Sequence, residues 1–255
     1  MSVRAHIVPA ARGARWLGEG WQMFRAAPLG WLSVVFVYLF GTQAMALVPG
    51  VGLAVALVAV PGLSVGLMAA ARASSRGGAV QVALLLEGFR NGAPAQLVLG
   101  AVYLACSVLI FAALALVDEA GALRAVLAGS RAAEPAEAGD VALAGAAAAA
   151  LYVPVAMLFW FAPVLAAWHS VGPGKALFFS FVACLLNWRA FLAYAALAAL
   201  LMLAAPLAAL ALPAALLGTE SAKLAPLLVP LLLVLMPTLF ASFYASYCDV
   251  FGGGE

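Results

Sequence analysis

The sequence predicts an all-α fold: a polytopic transmembrane helical bundle of six spans in three hairpins, each hairpin preceded by a helix on the cytoplasmic surface. Three observations predict it: the composition, the length of the apolar runs, and an order of parts that recurs three times. Hydrophobic residues make up 67% of the 255 positions and charged residues 9%, with a mean hydropathy of +1.15. Soluble domains carry about 25% charged residues, so this chain lacks the polar side chains to cover a water-soluble globule. A span needs about 20 apolar residues to cross about 30 Å of hydrocarbon, which leaves room for roughly six spans with short connections in one integral membrane domain, residues 1–255. The net charge of +2 is too small to suggest nucleic acid as a partner.

The first 27 residues hold Arg4, Arg12, Arg15 and Arg25 and no apolar run of signal-peptide length, so they are expected in the mature protein. From Ala11 to Arg25, Trp16, Leu17, Gly20, Trp21 and Phe24 recur at helical spacing, with Arg12, Arg15, Glu19 and Gln22 between them. That pattern fits an amphipathic helix lying in the headgroup layer, or alternatively a helix capping the bundle. Pro28 suits the first turn of span one, expected over Leu29–Leu47. The uncharged turn VPGVG is short enough to make spans one and two antiparallel neighbours. Span two, Leu53–Ala71, is interrupted by Pro61, a predicted kink, and carries Gly62 and Gly66 as a small-residue stripe for close helix packing.

A second surface helix is expected over Val80–Arg90, ending EGFR where the first ends EGWQMFR. Span three follows at Ala95–Val117, then an acidic external connection from Asp118 to Asp140. Span four, Val141–Trp168, is overlong and holds Pro154 and Pro163. The third surface helix, Lys175–Trp188, leads into span five at Phe191–Leu212. A polar turn with Glu220 and Lys223 precedes span six, Pro226–Tyr247, which contains Pro230 and Pro237. Each unit thus holds a surface helix ending near an arginine (Arg25, Arg90, Arg189), a first span, and a second span with a kinking proline (Pro61, Pro163, Pro237). Such repetition favours a pseudo-symmetric bundle.

Orientation follows from the basic residues. With the N-terminus in the cytoplasm, Arg4, Arg12, Arg15, Arg25, Arg72, Arg76, Arg90, Lys175 and Arg189 lie inside, and only Arg124, Arg131 and Lys223 outside. The positive-inside rule then places both termini in the cytoplasm. Arg12, Arg15, Arg25, Arg90, Lys175 and Arg189 are the candidate contacts to lipid headgroups.

The segments ARGARWLGEGW, VPGVG, PGLSVG, FWFAPVLAAWH, GKALFFSFVACLLNWRAF and PTLFASFYASYCDVF resemble a family of uncharacterised six-span inner-membrane proteins of Gram-negative bacteria, over nearly the whole chain. More distantly, the repeated surface-helix-plus-hairpin plan is similar to the membrane domain fused to some glycerophosphodiester phosphodiesterases. The resemblance implies location and fold, and transfers no catalytic or binding residue.

No constellation announces chemistry. The two histidines, His6 and His169, and the three cysteines, Cys106, Cys184 and Cys248, lack metal-ligand or redox spacing, and no phosphate-binding loop occurs, so neither cofactor nor catalytic site is expected. His169 beside Ser170 reads as an interfacial histidine rather than half of a dyad. No ionisable residue falls at mid-span by these boundaries, which argues against ion-coupled transport. Thr42, Gln43, Ser64, Ser107, Thr238 and Ser242 are the polar residues near mid-depth, expected to bond neighbouring helices or carbonyls freed by proline. The leading expectation is a structural or accessory membrane protein packing against lipid or another membrane complex. The alternative is an uncoupled transporter or channel for a lipid or small apolar solute. A polar pocket where the second spans converge favours the alternative, and a closed centre the accessory reading.

Overall fold

A computed structural model of the protein describes residues 4–117, 138–217 and 228–252, so most of the acidic connection and the Glu220–Lys223 turn lie outside the described residues. Every described element is helical: α1 (Ala10–Ala26), α2 (Pro28–Ala46), α3 (Gly52–Ser75), a 3-10 turn (Val82–Leu86) running into the single-turn α4 (Glu87–Arg90), α5 (Ala93–Val117), α6 (Ala138–Phe159), α7 (Ala162–His169), α8 (Pro173–Leu186), α9 (Trp188–Leu217) and α10 (Leu228–Phe251). Six helical stretches are long and apolar enough to cross a membrane, with α6 and α7 together making the fourth.

Two expected elements take a different local form. The second surface helix is a 3-10 turn plus one α turn, entered from an extended Gln81. Span four is two helices, separated at Trp160–Phe161. Pro163 therefore sits in the first turn of α7, where no intrahelical donor is required, whereas Pro61 and Pro237 lie within α3 and α10. Ser180 of α8 bridges the break, accepting from the Phe161 N–H at 2.9 Å and donating to the Met157 carbonyl at 2.7 Å. A break inside hydrocarbon leaves backbone groups without water, and this hydroxyl satisfies one on each side.

The three units pack in a ring. The surface segment of the second unit, the 3-10 turn and α4, lies against α3 of the first; α8 of the third lies against α6 and α7 of the second; α1 of the first lies against α10 and α9 of the third. The chain start closes the circle, with the His6 N–H donating to the Val250 carbonyl at 2.7 Å and Asn187 bonding the Val8 N–H and the His6 carbonyl. The second spans α3, α7 and α10 occupy the centre, while α2, α5 and α9 turn most of their surface outward, as lipid-facing helices do.

Equivalent contacts recur around the ring. Gly88, in the EGFR segment, abuts the carbonyl of Gly62, the residue after Pro61; Gly20, in EGWQMFR, abuts the carbonyl of Thr238, the residue after Pro237. In both places a Cβ would collide with backbone, so glycine sets how closely surface segment and span approach. Gly62 faces the Phe89 ring and Gly66 the backbone of Leu85, placing the stripe against the second surface segment.

Burial is one-sided along the bundle. Among the described residues none is buried in α2 after Val35, in α5 after Gly100, in α9 after Tyr194 or in α10 before Pro237. The packed core occupies the half that holds the surface segments, with Trp16, Trp31, Phe161, Leu99 and Leu165 fully buried.

Candidate functional site

Where the packed half ends, the second spans, with α2 and α5, line a half-open cavity of about 330 Å³. Its floor is formed by Pro61, Ser64, Met68, Pro163, Val164 and Phe243 on the packed side. Its walls rise through Tyr38 of α2, Tyr103 of α5, and Tyr152 and Ala156 of α6, on the loosely packed side. Among the described residues no Asp, Glu, Lys, Arg or His side chain lines it. The polar side chains near mid-depth, expected to bond neighbouring helices or carbonyls freed by proline, mostly satisfy their own helices: Ser64 donates to the Pro61 carbonyl, Thr42 to Tyr38, Ser107 to Tyr103 and Thr238 to Val234. Ser242 also meets the Tyr194 hydroxyl at 2.8 Å. What remains facing the cavity is aliphatic and aromatic surface with phenolic hydroxyls at its wall.

Beneath the floor the bundle is closed by aromatic packing and charge. The Arg72 guanidinium lies 4.1 Å over the Trp168 ring and 3.5 Å from Glu87, and Trp168 meets Tyr247 edge-on at 5.4 Å. The His169 Nε2 and Tyr247 hydroxyl are 2.7 Å apart, and Trp160 Nε1 donates to Ser246 at 3.1 Å. These contacts join the ends of α3, α7 and α10, so the space above them has no packed-side exit through this seam. His169 is thus partnered by a phenol, and Ser170 takes a left-handed conformation (φ 53°) after the helix end.

At the same face, α1 is locked to α10. Arg12 makes a two-pronged bond to Asp249, Nε to Oδ2 and Nη2 to Oδ1, both 2.6 Å, and Trp16 Nε1 donates to Asp249 Oδ2 at 2.7 Å. Glu19 approaches Arg12 at 2.9 Å. The bond to Asp249 raises the Arg12 pKa further, while burial pushes the Glu19 carboxyl up against the lowering effect of Arg12.

Of the expected headgroup contacts, Arg15, Arg25, Arg90, Lys175 and Arg189 are exposed. Arg12 instead turns inward to Asp249, a role the headgroup expectation did not include. Asp249 and Asn187, which carry the internal ties, and Gln96, which is fully buried and donates to the Pro163 carbonyl at 2.8 Å, were not singled out by the sequence reading. The available signal was their isolation: each is a lone polar residue within an apolar helix or at its edge, where an unpaired group is costly. Among the described residues no three His, Cys, Asp or Glu side chains converge to hold a metal ion. The buried Cys184 thiol is pushed up to about 12, far from thiolate reactivity.

No family model matches the chain, and no solved structure matches it significantly. It is 40% identical over 253 residues to a probable inner membrane protein of Burkholderia thailandensis, an alignment covering 96% of this chain and 93% of that protein. Identity at that level along nearly the full length of both chains, with six membrane-length helices, places this chain in the same family of multi-pass inner-membrane proteins as the Burkholderia thailandensis protein.

Proposed function

We propose that the protein is an accessory inner-membrane protein that holds lipid, seating an acyl chain in the cavity between its three second spans. The observation that carries this reading is the cavity itself: apolar and aromatic, without a charged lining group, floored by the packed half and walled by the loosely packed half. An uncoupled carrier for an apolar solute needs a path to both faces, and the Arg72–Trp168–Tyr247 seam opposes one. Ion-coupled transport lacks its usual intramembrane charge among the described residues. Lipid on the outer faces and lipid in the cavity would together solvate surfaces that the protein leaves uncovered.

Filling the cavity tests this. Ala156 lines it, and Ala156→Trp is expected to reduce lipid co-purifying with the protein in mild detergent, without loss of folded yield. Unchanged lipid content at unchanged yield contradicts the reading. The basic excess supports a reading in which the surface segments and both termini lie in the cytoplasm. A cysteine placed at the exposed Ala79 should then react with a membrane-impermeant thiol reagent only after the membrane is opened. Labelling from the outer side of intact cells reverses the orientation.

A further inference from the structure

A second pocket, of about 490 Å³, opens at the surface-segment face between α1, the C-terminal end of α3 and α10. Unlike the central cavity it is about half polar, lined by Glu19 and Gln22 of α1, Ser75 and Arg76 at the end of α3, and Tyr244 and Cys248 of α10, with Met23, Ala26 and Ala245 supplying apolar surface. Its charges are divided. On the α1–α10 side, Glu19 and Asp249 stand with Arg12, which pairs with both, and Arg15 also acts on Glu19, so the carboxylate that lines the pocket there is Glu19. On the α3 side stands Arg76, which is exposed and makes no ion pair among the described residues.

We infer that this pocket binds a phosphoethanolamine group, its phosphate toward Arg76 and its ammonium toward Glu19. Three physical arguments meet there. An arginine without a carboxylate partner among the described residues is a ready phosphate contact. The Glu19 carboxylate on the α1 wall disfavours an anion alone and favours one that carries its own cation at that end. The Glu19 carboxyl loses solvation by burial more than Arg12, which it shares with Asp249, and Arg15 restore, so a further cation improves its environment. The three-donor ammonium of ethanolamine can hydrogen-bond a carboxylate; the methylated ammonium of choline cannot. The location fits a lipid headgroup, since α1 is amphipathic and lies at the end of the spans. This site is separate from the acyl-chain cavity, and neither assignment depends on the other.

The test uses the purified full chain in detergent micelles, with bound lipid counted by native mass spectrometry. Dioleoyl phosphatidylethanolamine should be retained about tenfold better than the matching phosphatidylglycerol or phosphatidylcholine, the effect of one added charge-assisted contact. Glu19→Gln should abolish that preference. Arg76→Gln, which breaks no ion pair among the described residues and so should leave the fold intact, should lower retention of the ethanolamine lipid in the same assay. Competition by soluble glycerophosphoethanolamine at similar concentration would support the chemistry and assign it to a free headgroup compound; absence of competition would assign it to the lipid. Equal retention of the three lipids by the unaltered protein, or an Arg76→Gln variant that retains the ethanolamine lipid fully, overturns the inference.

Discussion

Asp249→Ala is expected to be among the most damaging single substitutions in the chain. The carboxylate receives three bonds from α1, two from Arg12 and one from the fully buried Trp16, and it ties the first element to the last. Removing it leaves the Trp16 Nε1 without its acceptor and Arg12 with Glu19 alone. Breaking one side of a buried charge pair costs about 3–5 kcal/mol, and the partial exposure of both partners here brings the expectation to about 3 kcal/mol. The apparent melting temperature in detergent should fall, and protease should cut after Arg15 and Arg25 at concentrations that spare the unaltered protein. Asp249→Asn, which keeps an oxygen acceptor but not the charge, should lie between. If Asp249→Ala melts with the unaltered protein, the Arg12–Asp249 tie does not hold α1 in place.

The second large effect is expected at the glycines between surface segments and spans. Gly20→Ala pushes a methyl group into the Thr238 carbonyl and against Ser242, and Gly88→Ala pushes one into the carbonyl of Gly62. Neither neighbour is the end of a flexible side chain, so backbone must move, at a cost of about 2 kcal/mol each. Gly18→Ala, on the open face of α1, meets no atom within 4 Å and should instead stabilise by up to about 1 kcal/mol through helix propensity. Similar losses at Gly20 and Gly88, with the opposite sign at Gly18, are the expected pattern in thermal unfolding. Losses that differ widely between Gly20 and Gly88 would mean that the two contacts are not equivalent parts of a repeated unit.

The spans were legible because hydrocarbon imposes a single rule, an unbroken apolar length, and six stretches meet it. The amphipathic α1 was legible for a related reason: Trp16, Leu17, Gly20 and Phe24 recur at helical spacing and are buried together, although Arg12, one turn before Trp16, shares their face and bonds the same Asp249 carboxylate. The detail of α1 was not, because Arg12 reads identically whether it meets a phosphate or a carboxylate, and Asp249 follows the apolar run of span six by only two residues. Span four was expected as one continuous helix kinked at Pro163, and it is broken instead. Pro163 marks the break in sequence, yet the helix parts at Trp160–Phe161, since a proline ring at the first turn leaves the preceding residues to lose their helical bonds. The segment Val80–Arg90 has an apolar pattern that suits a surface helix, but docking at Gly66 brings Leu85 backbone to backbone with α3, an approach made by a tighter turn. The cavity had no sequence signature at all. Tyr38, Tyr103 and Tyr152 are far apart in the chain, and only the ring arrangement brings them to one space.

An acyl chain in that space leaves a chemical trace that can be read directly. Met68 lines the cavity while being almost inaccessible from outside, and Met45 faces outward with 38% of its surface exposed. Photo-methionine incorporated at both positions and irradiated in native membranes, followed by peptide mapping, should give lipid adducts at both residues in the unaltered protein. In the Ala156→Trp variant the adduct at Met68 should disappear and that at Met45 persist. Lipid adducts at Met45 with only protein cross-links at Met68 in the unaltered protein would show that the cavity holds no acyl chain.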